Sequence, residues 1–345
     1  MIVSYDPGFG FIKAVSYDKK KFRKNIFPSL IDKTGSTPEI VKDKSSIAEI
    51  LSSQEIEKYI SFEFENIRYS VGNGASAEFS LDQFELLRPS QDLLLLFLAN
   101  FALFSIKYSI NSADFAYVVP VNLLNAEKER LVPLLLGEKS VKVHGIFEKE
   151  IKLKVNSVTF VEQGVSSLID VMYQFDENGD VVLKNKLEGK TAVFDIGTNT
   201  LNVVIYENFK LIYKETHPKS GMYKFVEDFV QHAKEKGIVL SKADVQKMMI
   251  EQNFVISRIS PTTFKQETID FTDVANSLKE KVFNDILKPR ISQVFSEFSV
   301  KNIVITGGGA NVFKDLHSFI IPPDAQFSNA LGALKLYKMK VENKI

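Results

Sequence analysis

Thr191-Ala192-Val193-Phe194-Asp195-Ile196-Gly197-Thr198-Asn199-Thr200-Leu201-Asn202-Val203-Val204-Ile205-Tyr206-Glu207 is the stretch that decides the fold. A β-branched and aromatic run from Thr191 to Phe194 stops at an Asp-x-Gly turn, and a second such run follows, which predicts strand, turn, strand rather than strand, turn, helix. The chain opens in the same way. Ile2 to Tyr5 leads into Asp6-Pro7-Gly8, and eleven residues beyond each Asp stands a Tyr followed by an acid, Tyr17-Asp18 and Tyr206-Glu207. After a polar turn each half continues into a third expected strand, Phe22 to Phe27 and Phe209 to Lys214.

The internal repeat extends further. Phe115 to Val119 runs into Pro120 and the helix-forming stretch Asn125 to Leu136; its counterpart is Ile303 to Ile305, Thr306-Gly307-Gly308-Gly309 and a short helix from about Asn311. Three meandering strands followed by alternating helix and strand predict an α/β domain with a mixed sheet, twice over. The 345 residues suit two domains of common size. Two inserted segments take up the remaining length. Residues 28–89 are polar at first and then alternate from Phe62 to Val71, which predicts a small subdomain with a strand or two. Residues 217–290 read as mostly helical: Phe225, Val226, Phe229 and Val230 share one face of a helix from Tyr223 to Lys236, and Ser241 with Asp244 forms an N-cap. Leu93 to Ile106 is the most apolar run, but its 14 residues fall short of the ~20 that span a bilayer, so a buried helix is expected.

Lys plus Arg and Asp plus Glu are both 43, so no overall positive field exists to hold a nucleic-acid backbone or an anionic membrane. Neither direct nucleic-acid binding nor a membrane is therefore expected. The basic run Lys19, Lys20, Lys21, Arg23, Lys24 reads as a solvated turn. With no Cys, thiolate catalysis and Cys-ligated metals are excluded, and a reducing compartment fits. MIVSYDPGFG lacks a basic segment followed by an apolar one, and the expected location is cytoplasmic.

An Asp-x-Gly turn between two strands suits a nucleotide phosphate clamp. Glycine lets the backbone approach and aim its N–H groups, and the Asp orders a hydrated magnesium ion through water. Asp6, Gly8, Gly10 and Lys13 form the first candidate clamp; Asp195, Gly197, Thr198, Asn199 and Thr200 form the second. Other phosphate motifs fail. Gly189-Lys190-Thr191 lacks the earlier glycine of a Walker A loop and precedes a strand, and no GxGxxG leads into a helix. Gly307, Gly308 and Gly309 offer a bare backbone surface for a base or ribose.

The ordered set DPGFGFIK at Asp6 to Lys13, VEQGVSS at Val161 to Ser167, FDIGTNT at Phe194 to Thr200, ITGGGA at Ile305 to Ala310 and FSNALGALK at Phe327 to Lys335 resembles the phosphate, connecting and adenosine motifs of the actin, heat-shock chaperone and sugar-kinase superfamily. Within it the chain is most similar to the bacterial and archaeal ParM and Alp type of plasmid-segregating actins. Val119-Pro120-Val121 and Glu162-Gln163 depart from the usual Gly-Leu-Pro and Glu-Pro. The resemblance implies an actin-like (ribonuclease H-like) fold, two similar α/β domains flanking a nucleotide cleft, each with an inserted subdomain. The boundaries expected are 1–164, with residues 326–345 packing back on it, and 165–325.

The resemblance also implies ATP or GTP with Mg2+ as cofactors, Asp6 and Asp195 holding the metal through water, and Gly221 among the nucleotide contacts. Glu162 aligns with the acid that orients or deprotonates the attacking water, and Gln163 is its rival. The function implied is an ATPase whose nucleotide closes the cleft and drives head-to-tail filaments, for plasmid segregation or intracellular positioning. Segment 28–89 is expected at the longitudinal contact, and cargo DNA would be held through an adaptor protein. A small-molecule kinase and an FtsA- or PilM-like scaffold are the alternatives.

Overall fold

The computed structural model describes residues 1–18, 21–33, 56–75, 88–259, 264–313 and 318–342. It divides into two units, Met1–Lys186 with Phe327–Ile345, and Leu187–Gln326.

In the first unit, β1 (Ile2–Pro7), β2 (Phe11–Asp18) and β3 (Lys21–Pro28) form the expected antiparallel meander. Strand β4 (Ile31–Asp32), β5 (Ile60–Phe64) and β6 (Ile67–Val71) come from the inserted segment. Helix α1 (Ser90–Tyr108) leads to β7 (Ser112–Val119), and α2 (Leu124–Leu135) to β8 (Gly137–Gly145) and β9 (Lys149–Glu162). The sheet order is β3-β2-β1-β7-β9-β8-β5-β6-β4, with β1, β7 and β9 mutually parallel. The inserted strands thus extend the main sheet instead of forming a separate body; residues 34–55 and 76–87 of that segment, and Lys19 and Lys20, lie outside the described residues.

Alternation along the strands sorts side chains to two faces. Tyr5, Tyr117, Val119 and Phe160 join α1 in one core, whereas Ala116, Val118 and Val161 pack on Ala333 and Tyr337 of α8 (Ser328–Val341). Helix α1 is long and apolar enough to cross a membrane, but Leu93 to Ser105 are all buried in this unit, as a helix that is apolar all round must be in a folded core.

Helix α3 (Val165–Met172), expected in the second half, belongs to the first unit, as do β10 (Tyr173–Phe175) and β11 (Val181–Leu183). The boundary falls after Lys186, not after residue 164, because α3 is fastened to α8. A Cβ on Gly332 would stand 1.6 Å from the Ser166 carbonyl oxygen, so only glycine permits this crossing. The Lys335 ammonium donates to Asp170 Oδ1 at 2.6 Å and to the Tyr173 carbonyl at 2.7 Å.

In the second unit, β12 (Thr191–Ile196), β13 (Thr200–Glu207) and β14 (Lys210–Pro218) repeat the meander, and β17 (Asn302–Thr306) lies parallel beside β12. Helices α4 (Tyr223–Glu235), α5 (Lys242–Glu251), α6 (Thr272–Val282) and α7 (Lys288–Phe298) contribute Phe229, Val245, Leu278 and Val294 to one core with Phe194 and Ile305. Ser241 and Asp244 complete a reciprocal capping box at α5. The segment also holds a hairpin, β15 (Val255–Ile259) with β16 (Gln266–Asp270), in place of continuous helix. The short helix expected from Asn311 is a 3-10 turn starting at Gly308.

Candidate functional site

Each unit ends its first strand in an Asp turn, and strand register decides what the Asp faces. Antiparallel pairing sets Asp6 opposite Lys13, and the ammonium donates to Asp6 Oδ2 at 2.6 Å. Asp6 is fully buried and Lys13 only 9% exposed. Asp6 Oδ1 has no hydrogen-bond partner, so half of a buried carboxylate remains available. A Cβ on Gly8 would lie 2.9 Å from the Phe11 carbonyl oxygen and 3.3 Å from Lys13 Nζ, which keeps that position bare.

Seven residues beyond Asp195, where the first half has Lys13, stands Asn202, and register sets it opposite Asp195. Asn202 Oδ1 accepts from Thr216 at 2.9 Å. The first turn therefore has a cation facing its Asp and the second a neutral amide. Motif reading misses Asn202 and this asymmetry, although the shared seven-residue offset carries both.

The carbonyls of the second turn are all engaged. Those of Gly197, Thr198 and Asn199 accept from the N–H groups of Met222, Tyr223 and Gly221 at 3.0, 2.7 and 3.2 Å, where the chain enters α4. Because a trans peptide sets its C=O and N–H on opposite sides, the amides of Thr198, Asn199 and Thr200 are aimed away from α4. Gly221 packs so closely that a Cβ would meet two turn carbonyls at 2.6 Å. Asn199 is buried, and its Oδ1 has no partner.

Parallel pairing of β12 with β17 brings the Gly-rich turn alongside. Gly307 has φ +84°, and a Cβ there would stand 2.4 Å from Asp195 Oδ1. Gly309 is equally confined, 2.5 Å from Ile196 Cγ2, whereas Gly308 would meet nothing nearer than 4.0 Å. The structure thus brings Asp195, Gly197 to Thr200 and Gly307 to Gly309 together in the second unit, with Gly221 behind the turn on the α4 side. Gly308 is bare without any packing need.

Glu162 is the last residue of β9 and pairs with Val119, on the face of Phe160 and Tyr117. Asp6 lies on the opposite face, with Val118 and Val161. Gln163, the residue after the strand, donates its N–H to the Val119 carbonyl at 2.9 Å, the bond that closes the Val119–Glu162 pair and ends the ladder. Beyond it Gly164, at φ +81°, turns the chain into α3. Asn329 of α8 holds that turn: its Oδ1 accepts from Gly164 N–H, Ser166 Oγ and Ser167 Oγ at 3.3, 2.8 and 2.7 Å. The FSNALGALK stretch therefore fastens the connecting motif through Asn329, Gly332 and Lys335.

Two mixed α/β sheets, each opening in a strand, Asp turn, strand unit, with the last helix returning to the first sheet, define the actin-like (ribonuclease H-like) fold. Residues 4–165 match the family of actin like proteins, N terminal domain, and residues 193–317 the archaeal actin homologue MreB-like, C-terminal family. The chain belongs to the actin-like superfamily. Similar solved structures include Bacillus thuringiensis ParM with ATP, 17% identical over 99% of this chain and 98% of that one, with a TM-score of 0.70. The archaeal actin homologue Ta0583 is 19% identical over all of both chains, at 0.70, and the actin-like protein Alp7A 17% identical over 99% and 97%, at 0.68. No curated protein matches the sequence.

Proposed function

We propose that this chain is an ATPase of the ParM and Alp type whose subunits add head to tail into filaments under nucleotide control, serving plasmid segregation or intracellular positioning, with any DNA cargo held by an adaptor protein. The observation that carries this reading is the pair of Asp turns, one per unit, each built at the carboxyl end of a central strand with turn carbonyls tied back by bonds from behind. Such a turn presents N–H groups to phosphate oxygens. That Bacillus thuringiensis ParM was solved with ATP and with ADP supports an adenine nucleotide as ligand. A head-to-tail contact does not close on itself and so builds filaments.

Bound Mg2+ would neutralise phosphate charge during transfer. Asp6, with a buried unpartnered Oδ1, and Asp195, against Gly307, fit that ion as ligands of its water shell. Among the described residues no three His, Asp or Glu side chains converge on a direct metal site, so water and phosphate oxygens would supply most of its ligands. Hydrolysis further needs a group one water away from the terminal phosphate. The strand phase of Glu162, which sets it on the face away from Asp6, supports its neighbour Gln163 ahead of it.

Phosphate release with ATP and Mg2+ tests the reading. Asp6→Ala and Asp195→Ala should abolish turnover, and Gln163→Ala should slow it by ~10²-fold while Glu162→Ala costs less. Full turnover in folded Asp195→Ala would remove the second clamp from the site.

A further inference from the structure

The two turns are braced from behind by different devices. In the second unit backbone N–H groups at the entry to α4 engage the turn carbonyls. In the first unit a side chain does so: Arg88, two residues before α1, donates through Nη2 to the Phe9 carbonyl at 2.7 Å and through Nη1 to Ser29 Oγ at 2.5 Å, with its guanidinium 5.4 Å from the Phe9 ring centroid. The Ser29 N–H in turn donates to the Gly10 carbonyl at 2.9 Å.

Arg88 is itself held. Its carbonyl accepts from Arg130 Nη1 at 2.5 Å, and Arg130 Nη2 reaches both oxygens of the buried Glu127, at 2.5 and 2.6 Å. Gly8-Phe9-Gly10 has a glycine on either side of Phe9, so its peptide planes have little intrinsic preference for one orientation. Fixing the Phe9 carbonyl toward Arg88 aims the Gly10 N–H the other way, as the α4 entry does for Thr198, Asn199 and Thr200. A planar, permanently charged fork can hold two acceptors at once, which an ammonium cannot do with the same geometry.

We propose that Arg88 is a positioning residue that orients the first turn so that the Gly10 N–H faces the nucleotide phosphates. This rests on the reading of that turn as a phosphate clamp. Arg88 then matters in proportion to the number of phosphates bound and not to the nucleoside.

Calorimetric titration of the full chain with ATP, ADP and adenosine tests it, using wild type, Arg88→Gln, Arg88→Lys and Ser29→Ala. Arg88→Gln should weaken ATP by roughly 10- to 100-fold, the range of a lost charged hydrogen bond, with adenosine changed less than about twofold. Arg88→Lys should fall between, and Ser29→Ala should stay within a few-fold of wild type because the Phe9 bond survives. If Arg88→Gln does not fold, the readout is Arg88→Lys against Ser29→Ala, with ATP weakened in the first and near wild type in the second. An unchanged ratio of ATP to adenosine affinity in the Arg88 variants overturns the brace alone, as does equal ATP affinity throughout. A folded wild type that binds adenosine but gains nothing from phosphates overturns the clamp and the brace together.

Discussion

Lys13→Met removes the cation paired with Asp6 while nearly keeping the length and volume of the side chain. Asp6 is fully buried and its bond to Lys13 is 2.6 Å, so the variant leaves a buried carboxylate in the sheet without its ion-pair partner. Breaking a buried pair from one side costs about 3–5 kcal/mol. At about 2–4 °C per kcal/mol, the value for a domain of about 150–250 residues, that lowers the melting temperature of the first unit by roughly 6–20 °C. Removing both charges is a different perturbation. Asp6→Asn with Lys13→Met should recover about 2–3 kcal/mol of the loss, the coupling expected of two groups in direct contact. Thermal and urea unfolding of both single variants and the double, without nucleotide, measure this. A Lys13→Met variant that loses less than about 1 kcal/mol, or a double no more stable than the single, would refute the picture of a buried, mutually dependent pair.

Gly307→Ala places a methyl group 2.4 Å from Asp195 Oδ1 at a φ of +84°, so ATP affinity in titration should fall by at least about tenfold, with a stability loss of about 1–3 kcal/mol. Gly332→Ala puts its Cβ 1.6 Å from the Ser166 carbonyl and should force α3 and α8 apart, lowering stability by about 3 kcal/mol or more in chemical denaturation. His217 is buried on β14, and burial holds its pKa below the ordinary value, with Arg290 adding to that and Glu215 opposing it. The unfolded chain then binds more protons, so the stabilisation is complete above the unfolded value of about 6.5 and is lost as pH falls through it toward the folded value. Urea midpoints across that window should fall in the wild type and change less in His217→Gln.

Much of the fold is legible because its decisive signals are local. The two Asp turns, the meanders and the apolar run of α1 each lie within a few consecutive residues, where turn chemistry and periodicity act. Asn202 was within reach for the same reason, seven residues from Asp195 as Lys13 is from Asp6. Arg88 was not, since it meets Phe9 across 79 positions and nothing beside either residue marks the contact. Attachment of α3 to α8 depends on Gly332 meeting Ser166, a close approach between helices far apart in sequence. The β15–β16 hairpin escaped because Val255, Ser257 and Ile259 mix apolar and polar residues on one exposed face, which erases the two-residue period. Register, too, is invisible locally: strand phase sets Glu162 on the face away from Asp6.

Sedimentation and light scattering of the purified chain with ATP, GTP, ADP or no nucleotide test nucleotide-driven assembly most directly, with Asp195→Ala alongside. The expected result is polymer with ATP, little with ADP or without nucleotide, and none with Asp195→Ala. Blocking hydrolysis at Gln163 or Glu162 should lower the concentration at which polymer forms. A wild-type chain that binds ATP and remains monomeric in every nucleotide state, at every concentration tested, would contradict the filament reading.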